Sequence, residues 1–116
     1  MVKITIIGSD TTTGGLTFDG KNGNGDRKVK HKDEVKWILG NNCGVALIIK
    51  IHAKLLPPSA DIWDIKPHAV AQSTDWKGNV NETAVENAEW HYHIKWQDTN
   101  GKTHNFDPKI IVNSHK

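Results

Sequence analysis

Glu89-Trp90-His91-Tyr92-His93-Ile94-Lys95-Trp96-Gln97 alternates without a break, Trp90, Tyr92, Ile94 and Trp96 taking one parity and His91, His93, Lys95 and Gln97 the other. A period of two sends successive side chains to opposite faces of a strand, so this stretch predicts an amphipathic β-strand with an aromatic inner face. Asp98-Thr99-Asn100-Gly101 follows it, and residues 102–106 come next. An Asn-Gly pair supplies the conformations a tight turn needs, so the two runs predict a hairpin. Asp107-Pro108 breaks the second arm, because proline has no amide to give to a ladder. The β-branched run Lys109–Val112 predicts a last strand.

Working back towards the N-terminus, residues 2–7 and Leu16-Thr17-Phe18 read as strands separated by a polar, Gly-rich loop. Residues 19–26 have the glycine and asparagine content of a turn. In residues 29–39, Val29, His31, Asp33, Val35, Trp37 and Leu39 share one parity, interrupted at Lys32-Asp33-Glu34, which predicts a strand pair or a bent strand. Gly40-Asn41-Asn42-Cys43-Gly44 makes a turn into residues 45–54, where alternation puts Val45, Leu47, Ile49, Ile51 and Ala53 on one face and Lys50, His52 and Lys54 on the other. Pro57-Pro58 ends that strand, and a further one covers residues 62–71. Residues 72–88 are polar, and Asn81 is placed to cap about two helical turns over residues 81–88, the single short helix expected.

This pattern defines an all-β chain, a Greek-key β-sandwich of seven to eight strands with at most one short helix. At 116 residues, residues 1–116 make a single sandwich domain with one core. Hydrophobic residues are 36% and charged residues 24% of the chain, which fits a soluble globular domain. The longest apolar run, Val45-Ala46-Leu47-Ile48-Ile49, is too short for a membrane helix, so no membrane association is expected. The apolar run after Met1 is too short for a signal peptide, which makes the cytoplasm the default location; the sequon Asn81-Glu82-Thr83 matters only in a secreted chain. Cys43 is the only cysteine, so no disulfide forms within the chain. The net charge is +2, and the basic cluster Arg27, Lys28, Lys30, Lys32 is flanked by Asp26, Asp33 and Glu34, so nucleic acid is not an expected partner.

No catalytic signature is present: Cys43 sits in a turn with no sequence signature pairing it with a base, and Gly20 to Gly25 lacks the Lys-Ser/Thr of a phosphate loop. His91 and His93 share one strand face at a spacing of two, a geometry by which two imidazoles can hold zinc or copper, with His52 or His104 as third ligand. Trp63 and Trp76 lie in polar surroundings and are candidates for exposed sugar-stacking platforms, whereas Trp37, Trp90 and Trp96 fall on apolar parities and are assigned to the core.

The run Lys28-Val29-Lys30-His31-Lys32-Asp33-Glu34-Val35-Lys36-Trp37 is similar to the strand, charged turn and Val-x-Trp segment of cupredoxin-like domains. The late hairpin, from Tyr92-His93-Ile94-Lys95-Trp96 to Asp107-Pro108-Lys109-Ile110-Ile111-Val112, resembles the closing strands of small bacterial proteins of that fold. The two segments cover less than half of the chain. The resemblance implies a Greek-key sandwich and, in electron-transfer members, a copper site of two histidines, a cysteine and usually a methionine, with Cys, His and Met close together near the C-terminus. Cys43 lies in the first half and Met1 is the only methionine, so that ligand set is not carried over. An immunoglobulin-like strand order is the alternative. The expected function is a non-catalytic interaction or accessory domain that presents loops or an edge strand to a protein partner or a second copy of itself; the alternative is a ligand-binding module for metal or carbohydrate.

Overall fold

The computed structural model describes residues 2–19, 26–54 and 61–113. Those residues form ten strands and no helix: β1 (Val2–Ser9), β2 (Leu16–Phe18), β3 (Arg27–Val29), β4 (Glu34–Leu39), β5 (Val45–Ala53), β6 (Trp63–Ala69), β7 (Trp76–Val80), β8 (Glu89–Asp98), β9 (Thr103–Phe106) and β10 (Lys109–Val112). Two mixed sheets pack into a β-sandwich. One runs β2-β1-β4-β7-β6 and the other β3-β10-β8-β5, with β9 paired to β8. Two pairs are parallel, β1 with β4 and β10 with β3. No helix among the described residues is long and apolar enough to cross a membrane.

The hairpin predicted from the alternating run is the spine of the second sheet. Gln97 pairs with Thr103 and Ile94 with Phe106, and the same register resumes beyond Asp107-Pro108, where His91 pairs with Lys109 and Trp90 with Ile110. β9 and β10 are therefore one arm interrupted at the proline, whose carbonyl still accepts the Tyr92 amide at 3.2 Å. At the turn Gly101 has φ 84°, the left-handed region where glycine is favoured.

Asp98, the buried charged residue among the described residues, closes this turn from inside. Its Oδ1 accepts the Asn100 and Lys102 amides at 2.8 and 3.0 Å, and its Oδ2 lies 2.8 Å from His104 Nε2. The His104 hydrogen bond, helped by the two amides and opposed by burial, holds the Asp98 carboxyl below its ordinary value. A carboxyl depressed in the folded state adds stability above its unfolded pKa and loses it as pH falls through the folded one. Urea midpoints are thus expected to drop below about pH 4. Asp98→Asn is expected to begin lower near neutrality and to lose less over the acid range; parallel pH curves for the two proteins would assign the acid loss to other groups.

Between the sheets Ile4, Ile6, Val35 and Trp37 of the first meet Trp90, Tyr92, Ile94, Trp96, Ile110 and Val112 of the second, all buried. Trp90 stacks on Tyr92 at 4.5 Å between ring centroids, and Trp37 and Trp63 meet these rings edge-on, Trp37 against Tyr92 at 6.0 Å and Trp63 against Trp90 at 5.0 Å. Such tilted and offset contacts suit the aromatic quadrupole. Trp96 donates its indole N–H to the Gly14 carbonyl at 3.0 Å, tying the β1–β2 loop to β8.

Three features differ from the sequence expectations. First, β5 does not alternate simply: Val45, Ile48 and Ile51 are its buried residues, while Leu47 and Ile49 are 40% and 39% exposed. The pairing to β8 slips between Val45 and Leu47 and again between Ile48 and Lys50, so two bulges each insert a residue and turn a period of two into one of three. Second, residues 81–88 form consecutive tight turns, not a helix. Asn81 Oδ1 accepts the Thr83 amide at 2.8 Å and its carbonyl the Ala84 amide at 3.2 Å, after which the Ala88 amide closes on Val85. The Asn81 side chain competes for the backbone as an Asx turn. Third, the polar stretch after residue 72 contains a strand, β7, and the count is ten instead of seven to eight. The turns expected at residues 20–25 and at Pro57-Pro58 lie outside the described residues.

Candidate functional site

On the outer face of the second sheet, β5 and β8 set Lys50 opposite Lys95 and His52 opposite His93. The hairpin register brings Asp107 beside His93, and its Oδ1 is hydrogen-bonded to His93 Nδ1. Lys54 Nζ lies 3.5 Å from Asp107 Oδ2. The His52 and His93 rings are 5.1 Å apart, tilted by 38°. Burial, then the neighbouring His93 and Lys50, with Lys95 adding and the Ala53 backbone opposing, hold the His52 imidazole below its ordinary value.

Of the four histidines singled out in the sequence, only His52 and His93 are brought ring to ring. His91 turns to Glu89, 3.2 Å away on its own strand, and Glu89 also lies 3.6 Å from Lys109. His104 pairs with Trp96 across the hairpin and stacks on its ring at 4.4 Å, so it projects to the inner face while His93 takes the outer one. His104 is therefore no third ligand for that pair. Among the described residues no group of three or more His, Cys, Asp or Glu side chains is arranged to hold a metal ion. His52 and His93 offer two imidazoles, but Lys50, Lys54 and Lys95 around them make the face electropositive, which suits an anion better than a dication.

Among the described residues β5 pairs with β8 alone and β6 with β7 alone, so each ends its sheet there, and the two strands line one cleft. A cleft of about 400 Å³ opens between them, lined by Lys50, Ile51, His52, Ala53, Asp61, Trp63, Lys66, Pro67 and Trp90. Its apolar wall comes from Ile51, Trp63, Pro67 and Trp90, and its cations from Lys50 of β5 and Lys66 of β6. The exposed apolar side chains Leu47, Ile49 and Ile65 stand on the same two strands.

The surface exposure expected for Trp63 is corrected: it is 6% exposed, and its ring lies between Trp37 and Trp90. A Cβ on Gly78 would come within 3.1 Å of Trp63 Cζ3 and 2.9 Å of the Ile65 carbonyl, so only glycine in β7 leaves room for this packing. The polar neighbours of Trp63 in sequence point outward along the strand and say nothing about the tryptophan itself. The Trp63 indole nitrogen is buried without a hydrogen-bond partner. Trp76 is half-buried and donates its indole N–H to the Ile48 carbonyl at 3.3 Å, a link between β7 and β5. Cys43 is buried in the core beneath its turn. In the basic cluster that begins in β3 and runs into the turn after it, Arg27 is bound to Asp19 and Lys32 lies 3.2 Å from Glu82.

Lys66, Asp61 and Asp107 were missed as site residues in the sequence, because the cleft between the sheets and the register of the late hairpin, not local spacing, bring them there. Fold and cleft together define the class: an all-β sandwich domain whose two sheets end beside one another around a mixed apolar and cationic cleft. No protein-family model matches the chain, and no curated protein matches it.

Proposed function

We propose that this is a non-catalytic binding domain that receives a protein partner along its β5–β6 side. The observation that carries the reading is the exposed apolar set Leu47, Ile49 and Ile65 on two sheet-ending strands that flank a cleft. Soluble domains blunt such edges with lysine, proline or bulges. β6 has Lys66 and Pro67, and both strands carry irregular pairing on their inner side, yet the three apolar side chains remain in water. An extended segment laid along a sheet edge pairs through its backbone and places alternate side chains in pockets. The parallel pairs β1 with β4 and β10 with β3 set these sheets apart from a purely antiparallel sandwich.

The test is selection of binders from a displayed random-peptide library against the full chain, followed by amide chemical-shift mapping of one enriched peptide. Shifts concentrated in Val45–Ala53 and Trp63–Ala69, and loss of binding in a Leu47→Lys, Ile65→Lys variant, are the expected result. Shifts confined to the turns at residues 81–88, or binding indifferent to that variant, would move the interface elsewhere.

A further inference from the structure

We propose that the segment received by this side is acidic and carries one large apolar side chain that enters the cleft; the inference rests on the β5–β6 side being the binding surface. The cavity, about 400 Å³, stands at the small end of the range for ligand pockets. Its wall of Ile51, Trp63, Pro67 and Trp90 offers an aromatic or branched aliphatic group a desolvated seat. The charges around it have one dominant sign. Lys50 stands on one lip and Lys66 on the other, His52 lies between the cleft and the His93 ring, and Asp61 is the one carboxylate among the described lining residues.

Beyond the lip the sign continues, since Lys95 is set directly across from Lys50. Like charges directly opposite each other on adjacent strands repel, and a carboxylate held between them removes the repulsion. Lys54, the remaining cation of that face, already has Asp107. A carboxylate reaching both Lys50 and Lys66 would bridge the two sheets where, among the described residues, no strand pairing joins them. A segment rich in lysine or arginine adds to the repulsion between these cations, whereas glutamate and aspartate accept hydrogen bonds from the lysine ammonium groups and relieve it.

The experiment is fluorescence anisotropy of the full chain with three labelled synthetic peptides that share a central tryptophan and differ only in flanking residues, which are glutamate, serine or lysine. The glutamate peptide is expected to bind at least about tenfold more tightly than the serine peptide, and the lysine peptide not to saturate. Added salt should weaken the glutamate complex. A Lys50→Glu, Lys66→Glu variant should bind the glutamate peptide about tenfold or more weakly. The neutral variant Lys50→Gln, Lys66→Gln should fall between the two, with unchanged thermal unfolding of both variants showing that they fold. Equal binding of the serine peptide, or affinity unmoved by charge reversal, overturns the acidic assignment while leaving the β5–β6 reading in place if the amide shifts still map there. Failure of all three peptides to bind overturns the inference as well.

Discussion

Replacing Trp37 by alanine is expected to destabilise the domain by about 3–5 kcal/mol, the range for removing a fully enclosed aromatic side chain. Trp37 has no exposed surface, lies 6.1 Å from the Trp63 ring and 6.0 Å from the Tyr92 ring, and belongs to β4 at the centre of its sheet. Neighbours on a rigid sheet collapse poorly into the space left, so a cavity adds to the lost burial. Small domains hold only about 5–15 kcal/mol in total, so much of the margin goes with this one ring. Urea unfolding followed by far-ultraviolet circular dichroism measures the loss. The polar part of the contact is separable. Trp37 Nε1 donates to the Tyr92 hydroxyl at 3.2 Å, and burial pushes that hydroxyl's pKa up, so it stays protonated. Tyr92→Phe keeps the stacked ring but strands the indole N–H, at about 1–3 kcal/mol. A loss below about 1 kcal/mol for Trp37→Ala would contradict its central place in the core.

The second large effect separates a wall tryptophan from a surface platform. Trp63→Ala is expected to cost about 3–5 kcal/mol, because its ring fills the space between Trp37 and Trp90 over Gly78. An exposed sugar-stacking residue would change stability by no more than about 0.5 kcal/mol on the same substitution. Trp63→Phe behaves differently: it gives up part of the contact area but also removes a buried N–H that has no acceptor, a group whose burial costs about 1–3 kcal/mol. The two terms oppose each other, and the phenylalanine variant is expected to stay much closer to the parent than the alanine variant. If both substitutions prove equally harmless, Trp63 is not packed as described.

Individual strands were legible where one face is buried and the other wet. Residues 89–97 showed this most clearly, since alternation of Trp90, Tyr92, Ile94 and Trp96 with His91, His93 and Lys95 follows from backbone geometry alone. Asn100-Gly101 fixed the hairpin for the same local reason. β5 shows the limit. Val45–Ala53 reads as a strand, but which of its residues face inward depends on two bulges that exist only in its pairing with β8. β7 was hidden because Trp76-Lys77-Gly78-Asn79-Val80 owes its extended form to β4 on one side and β6 on the other, not to its own propensity.

The candidate site divides along the same line. Periodicity placed Lys50, His52 and Lys54 together on one face of β5, and His91, His93 and Lys95 on one face of β8. Which histidines meet was a matter of register: His52 stands against His93, while parity on the far arm of the hairpin sends His104 to the opposite face. The cleft needed more still, because Lys50 and Lys66 belong to different sheets and come near each other only when the sandwich closes. The sequence by itself determined the all-β class, the hairpin and most of the aromatic core, since side-chain alternation and turn chemistry act over a few residues. Tertiary structure alone decided the bulged face of β5, the burial of Trp63 and the assembly of the cleft, because each depends on strands distant in the chain that carry no local mark of their partner.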